Sequence, residues 1–174
     1  MKIPEIYDYL IATRRQMWAA LEKVPAEVLS RPLAGDEWFP CLKDLIFHII
    51  TVEDGWLNLD ILRQEPVLEH FPTLRDAEEG AACDVKLEVL LEYWRAVEKR
   101  TLEYLAELTD EELQRITAPH DEEPQEHLFK VDGLLWHMMI HEMRHTAQIV
   151  VLLRAQGIKP PALDLLWYLP NQQH

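Results

Sequence analysis

The sequence is poor in cysteine and glycine and has no long apolar run. Its 174 residues include two cysteines and five glycines. Two cysteines are too few for the disulfide framework of a secreted domain, so we expect Cys41 and Cys83 to be free buried thiols. The N-terminus lacks the apolar segment of a signal peptide, and no run reaches the roughly 18 apolar residues of a membrane-spanning helix. These absences predict a cytoplasmic location and no membrane partner.

Basic residues are also few. The chain has 17 Lys and Arg against 31 Asp and Glu, a net charge of −14. Phosphate backbones repel such a chain, so we expect no nucleic-acid partner. Apolar residues make up 48% of the sequence, which is enough for a packed core. At this length a single domain over residues 1–174 is expected.

The glycines and prolines cluster, and they divide the chain into four segments with helical spacing of apolar residues. These segments are residues 4–23, 40–64, 84–108 and 132–156. Asp84 and Asp132 are predicted N-caps, and the Thr109–Glu112 spacing of a capping box predicts a short extra helix. No strand-like alternation occurs. We therefore predict an all-α four-helix bundle, with connections after the second and third helices long enough to cross it.

Histidines are concentrated in the fourth segment. His137, His141 and His145 are spaced by four residues, so they lie near one face of a helix. His141 and His145 fall within the apolar stripe of that helix, and His48 lies in the apolar stripe of the second, between Leu45 and Val52. Three inward imidazoles are either a hydrogen-bonded core network or the ligands of a divalent ion. Imidazole ligands suit zinc, nickel, iron, cobalt and manganese.

Residues 141–145 read H-E-x-x-H, the spacing of a zinc protease. No Glu follows Glu142, and Val151 stands where an extended motif has a third His, so a protease is not expected. Glu142 is a weak catalytic candidate as a general base, and a supporting or solvated role is favoured over it. Asp44 and Asp164 are candidates either to orient a ligand imidazole or to cap a turn.

The chain resembles the DinB/YfiT-like superfamily of metalloenzymes. The resemblance rests on residues 42–50 with a mid-helix His, on His137 through Gln148, and on the ending 157–169. It implies a DinB-like bundle with a crossover connection, commonly a homodimer. It also implies that His48, His141 and His145 bind a divalent ion such as zinc or nickel. Thr146-Ala147 departs from the Arg-Gly that is common before the Gln.

The resemblance also suggests an activity. Some relatives are transferases that use the low-molecular-weight thiols bacillithiol or mycothiol, and one branch is a maleylpyruvate isomerase. We therefore expect a metal-dependent transferase acting on a small molecule with a thiol cosubstrate. Two alternatives stay open. One is a metal-dependent hydrolase with a metal-bound water and Glu142 as base, and the other is a non-enzymatic metal-binding protein of a stress response.

Overall fold

A computed structural model describes residues 2–33, 39–75, 81–120 and 127–169. The remaining residues fall at the two ends and inside the predicted connections. Within the described ranges, no helix has the length and apolarity that crossing a membrane requires.

Four long helical segments form the body of the molecule. They are α1 (Ile3–Leu21), α3 (Leu42–Asp54, which continues as a π-helix over Gly55–Leu62), α5 (Leu87–Ala106) and α7 (Val131–Ala155). Each lies within a few residues of its predicted bounds. Three short helices lie between them: α2 (Ala26–Leu29), α4 (Pro72–Arg75) and α6 (Asp110–Gln114). Single 3₁₀ turns occur at Val67–His70, Ala81–Asp84 and Leu165–Tyr168.

The long helices form a four-helix bundle with crossover connections. α3 packs beside α7 and α5, and α1 packs beside the same two helices, so α1 and α3 lie diagonally. One apolar core joins Leu21, Leu42, Leu90 and Leu153, and a second joins Leu10, Leu57, Leu105 and Leu135. α3 and α5 therefore run parallel as neighbours, and the connection between them returns along the bundle. The predicted all-α fold is confirmed.

Several local predictions are corrected. Asp84 ends a 3₁₀ turn and Asp132 lies inside the first turn of α7, while the N-caps of α5 and α7 are Lys86 and Lys130. Thr109 does cap α6, because its hydroxyl accepts the N–H of Glu112 at 3.1 Å. A two-residue ribbon, β1 (Ile116–Thr117) paired with β2 (Phe129–Lys130), was not expected.

The inner face of α3 is rotated from the predicted stripe. Ile46, Ile50 and Leu57 are fully buried, whereas His48 and Val52 are only half-buried. The inner face also carries buried polar residues, including Glu53. A stripe chosen from apolar residues alone therefore misses the true direction of the core, and His48 lies at the edge of the α3–α7 contact.

The cysteine prediction is wrong. Cys41 and Cys83 are joined by a disulfide bond across 42 residues of sequence. The bond connects the start of α3 to the turn before α5, which the sequence could not indicate because their proximity depends on the path of the long connection. The cysteines therefore no longer support a reducing compartment, and the cytoplasmic location stays a prediction.

Candidate metal centre

Three of the predicted site residues meet between α3 and α7. His48 projects from the middle of α3, and His141 and His145 project from consecutive turns of α7. One ring nitrogen of each lies within 4.8 Å of the others, and His48 Nε2 is 3.0 Å from His141 Nε2. The ring centroids are 4.3 to 5.0 Å apart. We call these three side chains the histidine cluster.

The histidine cluster is held in its neutral form. His141 and His145 are buried and His48 is half-buried. Burial, followed by the mutual influence of the rings, lowers the pKa of His48 to about 4 and that of His141 to about 3. Burial also lowers the pKa of His145. Neutral imidazoles have a lone pair available, which is the form that binds a metal ion.

Gln148 orients one ring of the cluster. Its Oε1 lies 2.5 Å from His145 Nδ1, a distance at which Nδ1 donates its proton to the amide oxygen. That tautomer leaves the lone pair on Nε2, which faces Arg144 Nη2 at 3.0 Å. The sequence signal for this contact is the i, i+3 spacing on one helix. This spacing predicts that the two side chains lie close together on the helix surface, but it does not predict that they form a hydrogen bond with each other.

An arginine and a phenylalanine border the cluster. Arg144 is exposed, and its Nη2 lies 3.0 Å from His145 Nε2. The Phe39 ring lies 4.9 Å from the His48 ring and 5.6 Å from the His145 ring. Neither residue was singled out from the sequence, because Phe39 precedes α3 in an irregular segment and Arg144 reads as an ordinary exposed helix residue. The cluster thus has a cationic and an apolar border.

His137 stays outside the cluster. It is exposed, its ring is 5.8 Å from the His141 ring, and it packs on Trp56 at 5.3 Å. It does not belong to the three residues whose ring nitrogens lie within 4.8 Å of one another. Its position makes it a neighbour of the histidine cluster and a useful control for experiments on it.

Glu142 is turned away from the histidine cluster. Its two carboxylate oxygens accept from Arg14 Nε at 2.7 Å and Arg14 Nη2 at 2.5 Å. The same guanidinium bonds Glu53 at 2.6 Å and Glu98 at 3.3 Å. Burial raises the pKa of Glu142, against the lowering effect of Arg14. Glu142 is therefore part of a buried ionic group, so of the solvated and supporting roles favoured from the sequence the solvated one is wrong.

Tyr7 and Thr101 complete this buried group. The Tyr7 hydroxyl donates to Glu53 Oε1 at 2.6 Å and accepts from Arg14 Nη1 at 3.0 Å, and Thr101 donates to Glu53 Oε1 at 2.8 Å. Arg15 bonds Glu98 from the surface. We call the residues around Arg14 the arginine cluster. It separates the two apolar cores, since Arg14 and the three glutamates each lie between residues of one core and residues of the other along their helices.

Asp44 and Asp164 cap local structure. The Asp44 carboxylate accepts from the backbone N–H groups of Cys41 and Ala82, at 3.1 and 3.0 Å. Asp164 accepts from the N–H of Leu166 at 2.9 Å. Of their two predicted roles, the capping role is thus the observed one, and Gln148 makes the contact to a ligand imidazole.

A cavity of about 560 Å³ lies on another face of α7, between α1 and the C-terminal segment. Tyr9, Met143, Val150 and Leu163 line it, and none of the three clustered histidines does. The histidine cluster is instead reached from the edge of the α3–α7 contact, where His48 is half-buried. A substrate of the cluster would approach past Phe39 and Arg144.

Comparisons with known proteins bear on family and fold. The model of the DinB family matches residues 1–174. A crystal structure of a DinB-like protein from Bacillus cereus is similar, with a TM-score of 0.57 and 20% identity over 88% of this chain and 94% of that one. A DinB-like protein from Bacillus subtilis, YjoA, has a TM-score of 0.60 and 19% identity over 91% and 96%. At these identities the likeness is one of fold. No curated protein sequence matches this chain.

Proposed function

The chain belongs to the DinB family, and from this premise we propose that it binds a divalent metal ion through His48, His141 and His145. The observation that carries the proposal is the convergence of three neutral imidazoles from two helices. The donor set fits such an ion, because each neutral ring offers one lone pair. The exposed Arg144, whose Nη2 lies 3.0 Å from His145 Nε2, would turn towards solvent if that nitrogen bound the ion. Imidazole nitrogens favour zinc or nickel, and iron, cobalt and manganese are also compatible.

We further propose that the protein is a metal-dependent transferase with a low-molecular-weight thiol as cosubstrate. With a divalent ion bound, three protein ligands leave open coordination positions, where a thiol is favoured as its nucleophilic thiolate. The chain's own residues supply orientation and charge. Gln148 holds the His145 tautomer, and the exposed guanidinium of Arg144 can pair with a carboxylate of the small-molecule substrate or the thiol.

In this proposal, Phe39 shields the imidazoles from water and influences which substrate binds. Its ring contacts both the His48 and the His145 rings, so it limits the water that reaches these imidazoles. An apolar border also favours an electrophile with apolar surface over a small hydrated ion. The expected substrate therefore combines an anionic group, which faces Arg144, with an apolar part that packs on Phe39.

The hydrolase is less well supported. It requires a general base within hydrogen-bonding reach of the reacting group. Both oxygens of Glu142 are bonded to Arg14 on another face of α7. Glu142→Gln separates the two activities, because it would abolish a hydrolysis that uses this base and leave a thiol transfer at the histidine cluster intact.

A homodimer is proposed from the family resemblance. Exposed apolar side chains support it: Ile140 and Val151 on the outer face of α7 are 56% and 61% exposed, and Trp167 near the C-terminus is 74% exposed. Large exposed apolar residues are typical of surfaces that bind another protein. Light scattering at micromolar concentration would give twice the mass of the chain for a dimer.

The metal proposal is tested by elemental analysis of protein purified without an affinity tag. We expect about one divalent ion per chain in the wild type and in His137→Ala, and loss of the ion in the His141→Ala/His145→Ala variant. His137→Ala is the matched control, since it removes an imidazole one turn away. Equal metal content in all three proteins, or none after adding zinc or nickel at neutral pH, would make the histidines a core polar network and favour the non-enzymatic alternative.

The transferase proposal is tested with the metal-loaded protein, a generic aromatic electrophile and a set of low-molecular-weight thiols. We expect turnover with at least one thiol, a higher KM for the thiol or electrophile in Arg144→Ala, and no turnover in the double His variant. A rate equal to that of the metal-free protein with every thiol would refute the transferase while leaving the metal site in place.

A further inference from the structure

A second reactive group lies outside the histidine cluster, at the start of α3. Cys41 immediately precedes this helix, and its disulfide partner Cys83 lies in the 3₁₀ turn before α5. Two further contacts join the same segments. Lys43 Nζ donates to the Val85 carbonyl at 2.6 Å, and the Ala82 N–H donates to Asp44 at 3.0 Å. The two sulfurs are therefore kept close together by contacts that do not depend on the bond between them.

We propose that the Cys41–Cys83 bond is a thiol–disulfide exchange site, at which a low-molecular-weight thiol attacks the sulfur of Cys83 and Cys41 leaves. The proposal goes beyond the function proposed above, since it requires no metal ion. If the protein is cytoplasmic, as we expect, a disulfide is typically redox-active and not a permanent staple. The structure distinguishes the two sulfurs by access and by what surrounds each.

Access favours attack at Cys83. Cys41 is fully buried, with an exposed fraction of 0%. Cys83 is half-buried and lines a cavity of about 380 Å³. The walls of this cavity carry Lys43 and Lys86 together with the carboxylates of Glu22, Asp84 and Glu88, so access, and not net charge, favours attack from this side. A thiolate must approach the sulfur it attacks along the S–S axis, and of the two residues only Cys83 has exposed surface.

The surroundings favour Cys41 as the leaving group. Cys41 is the N-cap of a 13-residue helix, and its sulfur faces the backbone N–H of Asp44 in a capping box. The positive end of the helix dipole and this N–H stabilise a thiolate at Cys41. The surroundings of Cys83 have the opposite effect and disfavour a thiolate, because Asp44 Oδ2 lies 2.8 Å from its sulfur. A carboxylate at that distance accepts a proton from a thiol and disfavours a second negative charge.

In the exchange, one S–S bond forms as another breaks. The electron pair of the small thiolate forms a new S–S bond to Cys83, the Cys41–Cys83 bond breaks, and its electron pair stays on Cys41. Cys41 can then attack the Cys83 sulfur of the mixed disulfide, which restores the original bond and releases the small thiolate, since the two protein sulfurs and an Asp44 oxygen lie within 4.8 Å of one another. Alternatively, a second small thiol attacks the mixed disulfide, which leaves two protein thiols and releases the small molecule as its disulfide.

The test uses the oxidised wild-type chain, reduced glutathione as the probe, and a chelator to remove metal. Samples are quenched in acid, and free thiols are alkylated before peptide mass spectrometry. We expect a glutathionyl group on Cys83 and the alkyl group on Cys41, in about tenfold excess over the reverse pattern. Glutathione on Cys41, equal labelling of both cysteines, or a bond that opens only in denaturant would overturn the proposal.

Two single variants provide an independent measurement. Cys41→Ser leaves the accessible sulfur, and Cys83→Ser leaves the buried one. With an aromatic disulfide reagent, we expect Cys41→Ser to react about tenfold faster than Cys83→Ser in the folded state. Equal rates in folded protein would contradict the assignment of the attacked sulfur. Because the chelator is present throughout, these results are separate from the fate of the metal proposal.

Discussion

Helix α7 contributes consecutive residues to two polar clusters of opposite character. His141 belongs to the histidine cluster and Glu142 to the arginine cluster. Around Arg14, each donor of the guanidinium meets a carboxylate or the Tyr7 hydroxyl, and Arg14 and Arg15 offset most of the charge of the three glutamates. In the histidine cluster like groups face each other, with two ring nitrogens 3.0 Å apart. Both groups are polar and largely buried, but the arginine cluster pairs a charged donor with buried carboxylates, whereas the histidine cluster joins imidazole to imidazole and bonds Arg144 and Gln148 at the surface.

This difference supports the proposal that the histidine cluster, and not the arginine cluster, binds the ion. A buried group whose donors and acceptors match within the protein contributes to the uniqueness of the fold and has little left to offer a ligand. A group of convergent lone pairs attracts a cation, because like dipoles facing each other are stabilised by a positive charge between them. Burial and perturbed pKa values occur in both clusters, so neither property distinguishes a binding site from a structural one.

Removing the arginine is expected to have the largest effect. Arg14→Met leaves Glu53, Glu98 and Glu142 buried with only Arg15 nearby, and should lower the free energy of unfolding by about 3–5 kcal/mol. Urea denaturation measures the loss. Arg15→Ala is the control, because its side chain is 49% exposed and should cost less than about 1 kcal/mol. Similar losses in the two variants would contradict a structural role for the arginine cluster.

A smaller effect is expected when the support of a ligand is removed. Gln148→Ala takes away the acceptor of His145 Nδ1 and should weaken zinc binding by about 10- to 100-fold. Competition with a chromophoric chelator measures the affinity. Gln148→Glu keeps an oxygen at the same position and should retain wild-type affinity or exceed it. If Gln148→Ala binds zinc as tightly as the wild type, His145 is not oriented by this contact.

The stability of the metal-free protein should also depend on pH, and this effect should be smaller than the two effects above. The pKa of His48 is about 4 in the folded protein and about 6.5 when unfolded, so the unfolded chain binds more protons as the pH falls through this window. Stability is therefore complete above about pH 6.5 and decreases towards pH 4. Water screens part of the effect, because His48 is half-buried. Thermal melts in a chelator, with His48→Gln as the control, isolate this contribution. Identical pH profiles would count against the lowered pKa.

The sequence predicts the bounds of the long helices and the common face of His141 and His145, and both predictions have the same physical reason. Helical periodicity is a local property, and it places His141 and His145 on one face of α7 whatever the tertiary structure. His48 was also a candidate from its place in the apolar stripe of the second helix, and the family resemblance supports the same three histidines. The short helix after Thr109 was also predictable, since a capping box lies within four residues.

Other features depend on contacts between distant segments. The partners of Arg14 lie 39, 84 and 128 residues away, and no local pattern distinguishes a buried arginine from an exposed one. The Cys41–Cys83 bond depends on how the long connection returns along the bundle. The face of α3 that points to the core was predicted wrongly, because Glu53 and Asp54 are buried. Charged residues are usually exposed.

The most direct test of the account compares His141→Gln with Glu142→Gln, since these neighbours belong to different clusters. Zinc content and urea stability are measured for both proteins, the latter in a chelator. We predict that His141→Gln loses the metal and changes metal-free stability by less than about 1 kcal/mol. Glu142→Gln should keep one ion per chain and lose about 1–3 kcal/mol of stability, because an amide nitrogen then faces Arg14. The reverse pattern, with zinc lost from Glu142→Gln and retained by His141→Gln, would contradict the assignment of the two clusters.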